Sequence, residues 1–422
     1  MPFTLSSDGS VTYSPDFEFL AGAALNMAGL RSAPDRFRAI RKMIASNRTQ
    51  FSLAARDYYK SLGFQSLGET SLLGSEATIF PRPIRLDASD KCLRFEDSDR
   101  IVNYEGASLP NKLHSYIENI VEYQYGSDWN AAPFHRKGVD LVYRLTSYNS
   151  DAENPVFTFS RCQYLDYINS CEYHAHSIVN NFVSTSSWRS DKEIAPSRVR
   201  KGAIKDPFSF DELNCSVGIN TLLVLADPND PVFFLHNRSR TKVAEAGGLK
   251  HVVPAGTFQP IHNEDTNHNQ DFSIYANVVR EFAEELLGDP DVTHPFGYRE
   301  DIYERKSIRP IHHLLSIGRG GVFFNGFGVD ALTAKPEFLT TLVLVKSDLE
   351  RLFPDDFIRF SAANYEGSIF QDRFTTEQLK KWRDHPMMLA AGAGCLQQGI
   401  SHFDYFSSFG SCHIPAGDRA VS

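Results

Sequence analysis

Three features of the chain predict an α/β fold. Residues 220–226 (N-T-L-L-V-L-A) and 339–345 (L-T-T-L-V-L-V) are apolar runs of strand length, the pattern of strands buried on both faces. Residues 232–236 follow the first run across a D-P-N-D-P turn, which makes a hairpin. Residues 271–288 then switch to helical spacing, with Val279, Phe282 and Leu286 recurring on one side.

From the N-terminus, residues 17–45 read as helical, with Leu20, Ala23, Ala24, Met27 and Leu30 on one side. Pro34 interrupts the pattern, and Asp35 starts a second helix through Ile44. Leu113, Ile117, Ile120 and Val121 give residues 109–125 helical spacing, and residues 139–145 and 155–159 have strand character. Tyr167, Ile168, Cys171, Ala175, Ile178 and Val179 carry a helix across 164–183. At 184–205 the chain turns polar and basic and loses apolar periodicity, the mark of a linker. The expected organisation is an α+β N-terminal domain over residues 1–205, ending in that linker, then a second domain over 206–422. In the second, a strand beginning at His251 leads into the turn Pro254-Ala255-Gly256. A polar loop at 259–270 precedes helix 271–288, and a further helix begins at 347–351.

At 422 residues the chain can build a large core without a disulfide or metal staple. A net charge of -9 argues against generic nucleic-acid binding. Cys92, Cys162, Cys171, Cys215, Cys395 and Cys412 are dispersed, with no C-x-x-C pair, which fits a reducing compartment better than a disulfide framework. The first residues lack the basic-then-apolar order of a signal peptide. No apolar run reaches the ~18–20 residues of a membrane span. A cytoplasmic protein without a membrane partner is expected; oligomeric state is left open, a homodimer included.

The chemistry concentrates in Arg280-Glu281-Phe282-Ala283-Glu284-Glu285. At about 100° per residue, Glu281, Glu284 and Glu285 share one helix face. Like charges at i, i+3 and i+4 destabilise a helix unless something neutralises them. A divalent cation would do so: Mg2+ (or Mn2+) takes hard oxygen ligands, often a few carboxylates plus substrate phosphates. Arg280 stands four residues before Glu284, placed to pair with it and fix its rotamer. R-E-x-x-E-E should arise by chance in only about a few per thousand chains of this length. The competing explanation is an ordinary solvated acidic face.

A strand, a P-A-G turn, a loop and R-E-F-A-E-E resemble the box of the Nudix hydrolase superfamily, G-x5-E-x7-R-E-U-x-E-E-x-G-U, where U is bulky and aliphatic. Gly256 stands for the first glycine, and Arg280, Glu281, Glu284 and Glu285 match the core. The resemblance covers residues 217–360; the whole chain is also similar to uncharacterised bacterial proteins, some labelled transcriptional regulators. It implies a Nudix-like α/β/α sandwich with a mixed sheet. Glu281, Glu284 and Glu285 would be metal ligands, with Arg280, Glu284 and Glu285 as the catalytic set. The departures are specific. Arg280 lies 24 positions after Gly256, about ten more than in the box. The mid-box glutamate has only Glu264 and Asp271 as candidates, and the final glycine comes one place late, at Gly288.

Arg319, in the Gly-rich run 316–321, is a weaker candidate for a substrate phosphate, although no P-loop motif accompanies it. Glu300, Asp301, Glu304 and Glu337 are candidate general bases. Glu172 and His176, four apart on a helix, could hold a metal or work as acid and base, but an ion pair at the domain contact is the simpler expectation. His312 and His313 are expected to be structural. The function expected is divalent-cation-dependent hydrolysis of a phosphoanhydride in a nucleoside-diphosphate-linked substrate, a nucleotide-type small molecule. The alternative is a nucleotide sensor or regulator on the same fold, motivated by the missing glutamate and the insertion.

Overall fold

A computed structural model describes residues 3–5, 11–13, 33–89, 92–96, 116–132, 141–149, 155–184, 204–210, 213, 215–239, 248–260, 272–289, 302–353, 363–364 and 367–410. The expected helix over 17–32, most of the linker at 184–205, and Glu264, Asp271, Glu300 and Asp301 lie outside the described residues.

The order of elements is β1 (Phe3–Leu5), β2 (Val11–Tyr13), α1 (Ala33–Ser61), β3 (Leu72–Leu73), β4 (Ile79–Leu86), β5 (Leu93–Phe95), α2 (Tyr116–Tyr125), β6 (Leu141–Tyr148) and β7 (Phe157–Gln163). A short helix α3 (Tyr164–Tyr167), a π-helical turn (Ile168–Glu172) and α4 (Tyr173–Ser184) follow. Next come β8 (Gly218–Ala226), β9 (Val232–Arg238), β10 (Lys250–Val252), β11 (Ala255–Thr257), α5 (Ile274–Leu287), α6 (Arg309–Ser316), β12 (Gly320–Asp330), β13 (Pro336–Val345) and α7 (Lys346–Leu352). The chain closes with β14 (Ala363–Asn364), β15 (Gly367–Arg373), α8 (Thr376–Arg383), α9 (Ala390–Ser401) and α10 (Phe403–Ser407).

The fold is α/β, as expected, around a mixed sheet of ten strands among the described residues. Its main path is β14-β15-β9-β8-β13-β12-β3, with β10 beside β9, β11 beside β8 and β4 beside β12. The central pair, β8 and β13, is parallel; their neighbours run antiparallel. Both central strands are buried on both faces, so alternate residues enter different cores. Ile219, Leu223 and Leu225 join Val278, Val279 and Phe282 of α5 in the larger core. Leu222 and Val224 join Cys395 and Leu396 of α9 in the smaller one. Helices therefore cover the sheet on both sides. A register shift between Phe324 and Gly326 in β12 resets the alternation, so Phe324 and Phe327 both face the larger core.

Described elements from the first 205 residues take part in this sheet. β3 and β4 pair with β12 and form its edge. A second sheet, β5-β7-β6, packs its aromatic rings against the segment flanking α5: Tyr143 and Phe258 centroids are 4.6 Å apart, Phe159 and Phe272 5.4 Å. The larger core runs from Phe37 to Ile369 and so draws on both sides of the expected boundary.

Buried polar contacts tie α1 to the π-helical turn, and α4 to α2 and to the chain just beyond β12. Glu172 pairs with Arg48 at 2.7 Å and not with His176, the partner expected from helical spacing. Burial raises the Glu172 carboxyl, but the Arg48 charge and hydrogen bond outweigh it, and the net shift is downward. His174 Nε2 accepts from Ile204 N–H at 3.1 Å, so Nδ1 carries the proton and donates to the Leu332 carbonyl at 2.9 Å. Burial holds His174 down to about 4. His176 lies 3.3 Å from the Tyr116 hydroxyl, and burial, with Arg41 and Arg36 nearby, holds it down to about 3. Among the described residues no helix is long and apolar enough to cross a membrane.

Candidate functional site

The site is built where one hairpin splits. β8 and β9 pair only near their turn, at Val224–Phe233 and Leu225–Val232. Beyond that they part, and the returning chain fills the gap: β10 pairs with β9, then β11 pairs with β8. Pro254 is the crossing point; its carbonyl accepts from Thr221 N–H at 2.9 Å. Ala255 and Gly256 are thereby pinned opposite Asn220 and Ile219.

Helix α5 lies across this split. Ser273 caps its N-terminus, accepting from Ala276 N–H at 3.1 Å. Gly288 ends it in the left-handed region at φ 70°, and the next amide, Asp289 N–H, closes back on the Ala283 carbonyl at 3.0 Å. That C-terminal geometry accounts for a glycine at 288, one place beyond the box position. Val278, Val279, Phe282 and Leu286 are buried, each burial contributing about 1.5–3 kcal/mol as an upper estimate.

The carboxylates are not a solvated face. Side-chain exposure is 14% for Glu281, 16% for Glu284 and 8% for Glu285. Glu285 Oε2 accepts from Ala255 N–H at 3.0 Å. The Glu281 carboxylate sits against Gly256, in space a side chain there would fill. Arg280, 2% exposed, donates from Nη2 to Glu281 Oε1 at 2.9 Å and from Nη1 to the Gln259 carbonyl at 3.3 Å, and its Nε lies 3.8 Å from Glu284 Oε1. The structure thus brings together Gly256, Arg280, Glu281, Glu284 and Glu285. Arg280 serves Glu281 more closely than Glu284, the partner expected from spacing.

His236 is the member of this group that sequence reading missed. Its Nδ1 stands 4.0 Å from Glu285 Oε1, and the residue is 1% exposed. Strand parity carried the signal, since His236 shares alternation with Val232 and Phe234 of the larger core, the side on which α5 packs.

Other candidates fall elsewhere. Arg319 directly precedes Gly320, which pairs with Leu344, itself level with Leu225; Gly256 is level with Ile219. Arg319 is therefore about 20 Å from the split along β8, and it pairs with Asp348 instead. Glu337 alternates with Leu339 and Val343 of the smaller core and packs over Gly218, so the sheet separates it from α5. There it accepts from Asn220 Nδ2 at 2.8 Å, and Asn220 Oδ1 lies 2.9 Å from His251 Nε2. Burial raises the Glu337 carboxyl, with Lys335 acting against it. Glu304 ends a short 3-10 turn. His312 takes the Tyr275 hydroxyl at 2.9 Å and stacks on Tyr303, a packing role.

Among the described residues no three His, Cys, Asp or Glu side chains already surround a single point. The donor chemistry on α5 nevertheless fits Mg2+ or Mn2+, because these ions take hard oxygens and are commonly held by one or two carboxylates, with water and phosphate completing the shell. Glu284 and Glu285, adjacent on the helix, supply such a pair. No family model matches the chain, and no curated protein matches it.

Proposed function

We propose that this chain is a divergent Nudix-type hydrolase, which cleaves a phosphoanhydride in a nucleoside-diphosphate-linked substrate with the help of Mg2+ or Mn2+. One observation carries the reading: the P-A-G backbone and the R-E-x-x-E-E helix, distant in sequence, meet at the hairpin split, with Ala255 N–H on Glu285 and Gly256 under Glu281. When bound, the cation would neutralise phosphate charge and supply an activated water. Glu284 and Glu285 would hold it, and Glu281 would support them. Arg280 orients Glu281 through a 2.9 Å hydrogen bond and offsets the carboxylate charge. Burial of these groups strengthens every charge interaction among them.

The test is product release from a panel of ADP-ribose, NAD, sugar nucleotides and dinucleoside polyphosphates, with and without Mg2+. Metal-dependent release of a mononucleotide is expected from at least one member, with a large loss in Glu285→Gln. Equal, low release by both proteins across the panel would rule hydrolysis out.

A second reading, a nucleotide sensor on the same scaffold, is favoured by one feature: Arg280 pairs with Glu281 at 2.9 Å and so offsets the charge of a carboxylate that a catalytic centre would direct to its cation. Calorimetry separates the two, since the sensor requires nucleotide binding without turnover.

A further inference from the structure

Two thiols touch at the junction between the helical layer and the main sheet. Cys171 belongs to the π-helical turn, and Cys215 stands three residues ahead of β8. Their sulfurs are 3.8 Å apart; the Cys171 thiol donates to Cys215, whose own thiol donates to the Ala334 carbonyl at 3.5 Å. Both residues are fully buried. Cys395, by contrast, donates to the Asn220 carbonyl at 3.2 Å. A disulfide requires about 2.05 Å between sulfurs, so this pair needs a closure of about 2 Å.

We propose that Cys171 and Cys215 form an oxidation-sensitive pair, which a small peroxide converts into a disulfide tying the π-helical turn to the entry of β8. The chemistry balances. The thiolate of one cysteine attacks a peroxide oxygen and breaks the O–O bond, giving a sulfenic acid and one water. The second thiol attacks that sulfur, forms the S–S bond and releases another water. Two thiols are oxidised and one peroxide is reduced. Burial and the contact with Cys215 hold the Cys171 thiol well above its ordinary value, while Lys335 pulls it the other way. Oxidation is therefore gated by local opening rather than immediate. The cross-link would close the loop containing the basic segment 184–205, whether or not the chain is a hydrolase.

The experiment exposes the full-length protein to hydrogen peroxide, denatures it in an alkylating reagent and maps its peptides by mass spectrometry. The expected product is a Cys171–Cys215 linked peptide, lighter by about 2 Da than the two thiol peptides together, and restored to thiols by dithiothreitol. Recovery of both cysteines as alkylated thiols after the half-buried Met387 has oxidised would overturn the proposal. So would linkage of Cys215 to Cys162, which lies close enough to sense its charge. The wild-type map decides the question without a variant.

Discussion

The carboxylate of Glu281 occupies the space that a side chain on Gly256 would need. A Cβ at Gly256 would collide with Glu281 Oε1 and Cδ. The glutamate cannot swing away freely, because Arg280 holds Oε1 at 2.9 Å. Gly256→Ala is therefore expected to break that pair and to lower stability by about 1–3 kcal/mol. Urea unfolding of the variant against wild type checks it; an unchanged midpoint would mean that the contact relaxes without cost.

Arg280→Ala should cost more. It removes a buried guanidinium bridging two carboxylates and a backbone carbonyl, leaving charges uncompensated at a cost of about 3–5 kcal/mol. Arg280→Lys keeps the charge but loses the planar fork, so it should recover only part of the loss. The two urea midpoints, compared with wild type, give the ordering.

The helix cap gives a smaller effect. Ser273→Ala removes the side-chain acceptor for Ala276 N–H at the start of α5 and should cost about 1 kcal/mol. Because Ser273 is remote from Glu285 along the helix, the loss should appear in thermal unfolding while the proposed metal-dependent turnover at 25 °C is retained.

Much of this arrangement was legible in the sequence. Residues 220–226 and 339–345 lie within strands β8 and β13, and the helix expected over 271–288 is α5. These elements are regular, with apolar spacing that matches their period. The sheet edge was hidden for a physical reason: β4 carries Pro81 and Pro83, which argue against a central strand, and the structure places it where only one side needs a partner. β12 is not predicted from the sequence, where only the Gly-rich run 316–321 marks its start; its glycines record close packing, and a side chain at Gly328 would collide with Leu72. At the site, helical spacing put the three glutamates on one face. It could not show that Glu281 and Glu285 meet the P-A-G backbone, since that contact depends on the split between β8 and β9. Arg319 lies apart from this cluster for the same reason: strand register, invisible in the sequence, sends it to the far end of β8.

Acid should destabilise the protein in a defined window. His174 and His176 are held down to about 4 and about 3, below the ~6.5 of an exposed histidine. Below pH 6.5 the unfolded chain takes up protons that the folded chain refuses, so stability falls as pH drops, by about 1.4 kcal/mol per unit for each histidine. His251, lowered by burial and by Arg238, adds to the same trend. Glu172, lowered overall, reinforces it at lower pH; Asp330 and Glu337, raised by burial, oppose it. Unfolding free energies measured at pH 7 and pH 4.5 should differ in that direction, and His174→Gln should flatten the slope by about one proton's worth.

The proposed cation site on α5 is tested most directly by titrating Mn2+ into the purified protein and counting bound ions by electron paramagnetic resonance. Saturable Mn2+ binding displaced by Mg2+ is expected in wild type, weakened at least tenfold in Glu285→Gln and unaffected in Glu337→Gln, whose carboxylate lies on the other side of the sheet. Identical binding by wild type and Glu285→Gln, or none by either, would contradict a metal centre at the hairpin split.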